Sequence, residues 1–99
     1  MTLYQQGDVL IETAAIPKEA TRTRGRVLAE GEATGHAHRV EGDAEMLGLG
    51  ERIFLRVLSN DARVVHEEHR PIALPPGEYE VRRVREYDDF TEEARRVRD

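Results

Sequence analysis

The sequence predicts an all-β, single-domain protein of about seven or eight short strands, a small barrel or sandwich with a short carboxy-terminal helix. Three observations carry that reading. Short runs rich in Val, Leu and Ile recur at close spacing, separated by Gly, Pro, Asn and Asp turn signals. Aromatic residues make up 5% of the chain and Trp is absent, so the core must be aliphatic, each strand contributing two or three inward side chains. With 99 residues, 38% of them hydrophobic, the chain suits one core over 1–99 and is too small for two.

Residues 7–12 (GDVLIE) form the first run, with Val9 and Ile11 on one face and Asp8, Leu10 and Glu12 on the other. Residues 13–25 are polar and interrupted by Pro17, which reads as a loop holding at most one turn of helix. Strand character resumes at 26–30 (RVLAE). Gly31 and Gly35 bracket a turn that delivers the chain into a strand at 36–41, where His36, His38 and Val40 share one face. Gly42-Asp43 reads as a hairpin-like turn into a short strand at 44–49. Residues 52–58 (RIFLRVL) are the most apolar stretch and the expected central strand. Ser59-Asn60-Asp61 is a turn by composition. Residues 63–65 lead into a second histidine pair, 71–74 is a further short strand, and Pro75-Pro76-Gly77 is a strong turn. In 77–87, Tyr79 and Val81 alternate with Glu78, Glu80 and Arg82 until Val84 breaks the phase, which predicts a bulge near Arg82 and Arg83. From Asp88 the period becomes helical, with Phe90, Ala94 and Val97 on one stripe behind an Asp88 or Asp89 cap.

The formal net charge is −5, and the cations are almost all Arg, with Lys18 the single lysine. Nucleic acid is therefore not an expected partner, because its affinity rests largely on cations that neutralise phosphates. Most arginines lie near Glu or Asp and read as a salt-bridged, solvated surface. The absence of Cys removes disulfides and thiolate metal ligands together. Neither a signal-peptide pattern nor an apolar run of the ~20 residues a membrane helix needs is present, so the expected setting is cytoplasmic, with no membrane partner.

The four histidines fall in two tight pairs, His36 and His38 in TGHAHR, then His66 and His69 in HEEH. Imidazole is the commonest protein metal ligand, and both spacings let two rings reach one ion. Together the pairs predict a four-histidine site for a divalent metal, zinc first because the donors are nitrogen, with nickel, copper and iron also open. In a straight strand His66 and His69 face opposite ways, and Pro71 disfavours a helix through Arg70, so a bulge or bend is needed to bring both to one ion. Glu67 and Glu68 are the candidate catalytic residues, as general base on a metal-bound water, or as acceptors that fix an imidazole tautomer. Three histidines plus water would make a hydrolytic centre, whereas four would close it into a structural one. The blander alternatives are a buried polar pair at His36 and His38, and a solvated loop in which Glu67 and Glu68 pair with Arg70.

Two competing readings need no metal. One is an interaction module that forms a homo-oligomer through strand edges, its histidines making a pH-sensitive patch. The other is a histidine-dependent phosphodiesterase or ribonuclease, with Arg39 or Arg70 stabilising the charged transition state. No nucleophile elbow, P-loop, dinucleotide fingerprint or HExxH helix occurs, and a small-molecule substrate stays unassigned.

Residues 31–39 (GEATGHAHR) and 66–88 (HEEHRPIALPPGEYEVRRVREYD) resemble stretches of short, uncharacterised bacterial and phage-associated proteins. That resemblance implies a shared fold and site and carries no activity. A weaker resemblance is to cupins. Gly31, His36, His38 and Glu41 follow the order of the first cupin motif, and Pro75-Pro76-Gly77 is similar to the turn of the second. Glu80 stands where the third cupin histidine belongs, the spacing from His38 to Glu41 is short, and His66 and His69 have no place in the pattern. A GroES-like barrel is a further fold analogy, from size and the strand pair GDVLIE and GRVLAEG, and explains none of the histidines.

Overall fold

A computed structural model describes residues 2–30 and 35–84. Among these residues the protein is all-β, with ten strands and no helix. The strands are β1 (Leu3–Gln6), β2 (Val9–Thr13), β3 (Thr21–Thr23), β4 (Val27–Glu30), β5 (Ala37–Glu41), β6 (Ala44–Leu49), β7 (Arg52–Val57), β8 (Arg63–His66), β9 (His69–Ala73) and β10 (Gly77–Arg83). They form two antiparallel sheets, one of six strands in the order β1-β2-β10-β7-β6-β3 and one of four in the order β4-β5-β8-β9. The two share a core in which Val9, Ile11, Leu55, Val57, Tyr79 and Val81 of the larger sheet pack with Leu28, Val40 and Val64 of the smaller. Of the two expected architectures this is the sandwich; no closed barrel forms among the described residues.

The most apolar run does become an interior strand: β7 lies between β10 and β6, and both Phe54 and Leu55 are fully buried, one on each face. Two strands escaped the alternation pattern. β3 sits on the edge beside β6 with all three residues exposed, so it has no apolar face to detect. β1 is buried although half of it is glutamine, Gln5 at 5% exposure and Gln6 at 0%.

Gly42-Asp43 is not a hairpin turn but a corner, because β5 belongs to the smaller sheet and β6 to the larger. Gly42 has φ +93°, and a Cβ there would lie 2.3 Å from the Asp61 carbonyl oxygen, so this corner presses directly on the one between β7 and β8. The expected bulge near Arg82 and Arg83 is absent. β10 pairs regularly with β2 through Arg83, and Val84 changes phase because the strand has ended, its side chain packing with Leu3 and Leu10. Register shifts fall instead between Val27 and Ala29 in β4 and between Val64 and His66 in β8. The expected carboxy-terminal helix from Asp88 and the turn at Gly31 lie outside the described residues. No helix among the described residues is long and apolar enough to cross a membrane.

Candidate metal centre

The HEEH segment is the tip of a hairpin. β8 and β9 pair antiparallel, His66 is the cross-strand partner of His69, and Glu67-Glu68 make the turn between them. Cross-strand partners project to the same side of a sheet, which a single straight strand could not arrange for residues three apart. β5 lies on the other side of β8, with Arg39 opposite Val65, so His38 comes up beside His66. The four sequence-predicted histidines therefore meet. Ring centres are 4.3 Å apart for His38 and His66, 4.8 Å for His66 and His69, and 5.8 Å for His38 and His69. His36, just ahead of β5, packs edge-on against His66 at 5.9 Å. As they stand, no three His, Asp or Glu side chains among the described residues converge closely enough to hold an ion.

His38 is the buried member, 2% exposed, and its orientation is set by Gln6. The Gln6 amide Nε2 donates to the carbonyls of Val64 (3.1 Å) and Arg70 (2.8 Å), which uses both amide hydrogens and fixes which end is oxygen. Gln6 Oε1 is then an acceptor 2.8 Å from His38 Nδ1, so that nitrogen carries the proton and Nε2 presents its lone pair. Burial pushes the His38 pKa down to about 4, with neighbouring His66 adding to the effect and Asp8 opposing it, so the ring is neutral at pH 7. Asp8 Oδ1 lies 3.6 Å from His38 Nε2. Asp8 stands in the turn between β1 and β2, and its Oδ2 accepts from Arg83 Nη2 (2.9 Å) and Nε (3.2 Å).

The two glutamates of the turn clamp β5 to the hairpin. Glu67 Oε1 accepts from the Ala37 backbone N–H and Oε2 from Arg39 Nη1, each at 2.9 Å. Arg39 and that N–H hold the Glu67 carboxyl down at about 2, well below the usual carboxylate range. Glu67 thus pairs with Arg39, not with the Arg70 of the solvated-loop alternative. Glu68 Oε2 lies 2.7 Å from His36 Nδ1, while the Glu68 backbone N–H donates to His66 Nδ1 at 3.0 Å. A backbone N–H can only donate, so a neutral His66 carries its proton on Nε2. Gly7 closes the assembly. Its φ is +58°, and a Cβ there would lie 2.8 Å from His69 Nε2 and 3.5 Å from His38 Cε1, so only a glycine lets this turn approach both rings.

Gln6 and Asp8 were not among the residues singled out by motif. By alternation Asp8 counts into the first strand, on the face opposite Val9, whereas it stands in the turn between β1 and β2, and for Gln6 there was no signal, because its partners are 58 and 64 residues away. A family model described as Domain of unknown function (DUF8820) matches residues 5–84, which takes in Gln6, Asp8, all four histidines and both glutamates. No curated protein matches the chain, and neither does any solved structure.

Proposed function

From the premise that the chain belongs to the family described as Domain of unknown function (DUF8820), which fixes no activity, we propose that it is a small metal-binding β domain. His36, His38, His66 and His69 hold one divalent ion, zinc first. The observation that supports this reading is the spacing of the rings. Two imidazoles on one tetrahedral ion, each with its nitrogen at about 2.1 Å, have centres about 5 Å apart. Four of the six ring pairs, at 4.3, 4.8, 5.8 and 5.9 Å, bracket that distance, with His66 in three of them, so the rings would have to reorient around His66 to share one ion.

The carboxylate and amide partners fit the same reading. Metal-bound histidines commonly donate their second N–H to a carboxylate or carbonyl that fixes the ring. Glu68 stands so toward His36 and Gln6 toward His38. His66 would ligate by giving up its bond with the Glu68 N–H, and where it kept that bond the three other histidines would hold the ion. An ion held by three histidines and a water would lower the pKa of that water, which is the chemistry of a hydrolytic centre. Glu67 has both oxygens engaged, so of the two candidate carboxylates we assign the proton-accepting role to Glu68, which has one oxygen on His36. Nothing in this chemistry requires an oxidising compartment, and we place the protein in the cytoplasm.

The test is elemental analysis of untagged protein before and after incubation with zinc, followed by exhaustive dialysis. About one zinc per chain is expected. A metal content near zero that added zinc does not change would remove the reading and favour the metal-free interaction module.

A further inference from the structure

Asp8 and His38 face each other with nothing to hold them together. The His38 proton is on Nδ1, committed to Gln6 Oε1, and the Gln6 amide cannot turn over without losing its bonds to the Val64 and Arg70 carbonyls. The atom that looks toward Asp8 Oδ1 is therefore an unprotonated Nε2, on a side chain 3% exposed. A lone pair and a carboxylate oxygen are both acceptors, and 3.6 Å is beyond a hydrogen bond in any case. Such a pair repels, and a cation between the two atoms reverses the sign.

The distance suits one. An ion held at about 2.1 Å by a nitrogen and an oxygen sets them about 3.4 Å apart at a tetrahedral angle, and about 3.0 Å apart at an octahedral one. The observed 3.6 Å is nearer the tetrahedral value. The other carboxylate oxygen, Oδ2, takes two bonds from Arg83, which leaves Oδ1 pointing at His38. The Asp8 side chain is itself 48% exposed, so its carboxylate is open to an ion from solvent.

We infer that Asp8 supplies a carboxylate oxygen to the ion opposite His38 Nε2, which makes the centre a mixed imidazole–carboxylate site that bridges both sheets. This rests on the metal reading above and changes its content. With Asp8 as a ligand, fewer than four imidazoles complete a tetrahedral shell, and the site accepts manganese or iron(II) as well as zinc. Arg83 and Gln6 are positioning residues, each acting through the ligand it touches.

Asp8→Asn separates a ligand from a structural residue by sign. The asparagine amide N–H can donate to the His38 lone pair, so the metal-free melting temperature should hold or rise. Its zinc affinity, measured by competition with a chelator on the full chain, should fall by about 30-fold or more. Arg83→Gln should weaken zinc by about 10-fold, as loss of an outer-shell partner does. Asp8→Glu keeps the charge and the reach to Arg83 but displaces the oxygen, so it serves if the Asn variant does not fold, and it too should lose at least about 10-fold. Wild-type protein that binds zinc, beside a folded Asp8→Asn or Asp8→Glu variant that binds it within about threefold of wild type, would overturn the assignment of Asp8 alone. Wild-type protein that binds no zinc would overturn the metal reading and this inference with it.

Discussion

Gln6 is a fully buried polar side chain that satisfies two backbone carbonyls and one imidazole at once. Replacing it by Leu leaves the His38 Nδ1–H and the carbonyls of Val64 and Arg70 without their partner, at about 1–3 kcal/mol for each buried group left unmade. Gln6→Leu should therefore cost about 3 kcal/mol or more in urea unfolding, and an unchanged midpoint would mean that water replaces the amide. His38 gives a pH dependence whose sign follows from its burial. Above its unfolded value of 6.5 the ring is neutral in both states and contributes nothing. As pH falls below 6.5 the unfolded chain takes up a proton that the folded ring refuses until about 4, so stability declines across that window and levels off beneath it. Each unit of the window is worth about 1.4 kcal/mol at most. Metal-free wild type should thus lose more stability between pH 7 and 5 than His38→Gln does, and equal losses would show that His38 is not the group responsible.

At the scale of elements, the bulge or bend that the HEEH spacing called for is the turn of the β8–β9 hairpin, with a register shift between Val64 and His66 just ahead of it. The turn residues also hold the head of β5, through Glu67 to the Ala37 N–H and Arg39. Glu67→Ala should speed hydrogen exchange at the Ala37 amide by about 10-fold or more while leaving the β10 amides unchanged, because the opening is local. Glu67→Gln, which keeps an acceptor oxygen, should restore most of the protection. If both variants exchange like wild type, the clamp is not holding β5. The two sheet-crossing corners depend on Gly42 in the same direct way. Gly42→Ala puts a methyl 2.3 Å from a backbone oxygen at a φ of +93°, and should destabilise by on the order of 3 kcal/mol. A cost below about 1 kcal/mol would show that the corner yields.

For the whole molecule, the histidine cluster joins parts of the fold distant in sequence: the head of β5, the β8–β9 hairpin and, through Gly7 and Asp8, the larger sheet. An ion bound only by the folded state should stabilise all of it together, by about 2.7 kcal/mol when present at a hundred times its dissociation constant. Thermal melts of the four single alanine variants, with zinc and with chelator, test this. His38→Ala should abolish the zinc-dependent shift and also lower the metal-free midpoint, because it opens a cavity beneath Gln6. His36→Ala should abolish the shift with less effect on the metal-free protein. His69→Ala should retain part of the shift, since a carboxylate or water can take its position. Equal losses in all four would indicate a closed four-histidine site, and a wild type with no shift would leave nothing for the cluster to bind.

The all-β class, the interior position of residues 52–57 and the candidate residues His36, His38, His66 and His69 were legible because they are local properties. Alternation records which residues face inward, and HxH and HEEH record donors a few residues apart. Which strand neighbours which is not local. β3 has no apolar face to read, β1 hides its burial behind glutamines, and Gly42-Asp43 has the composition of a hairpin while making a corner between sheets. The tertiary structure alone decided that Gln6 would meet carbonyls 58 and 64 residues away, and that Asp8 would face His38 across 3.6 Å. A side chain's propensity is carried by the residue itself, whereas its hydrogen-bond partner is supplied by chain closure, and closure is settled only when both sheets pack on one core.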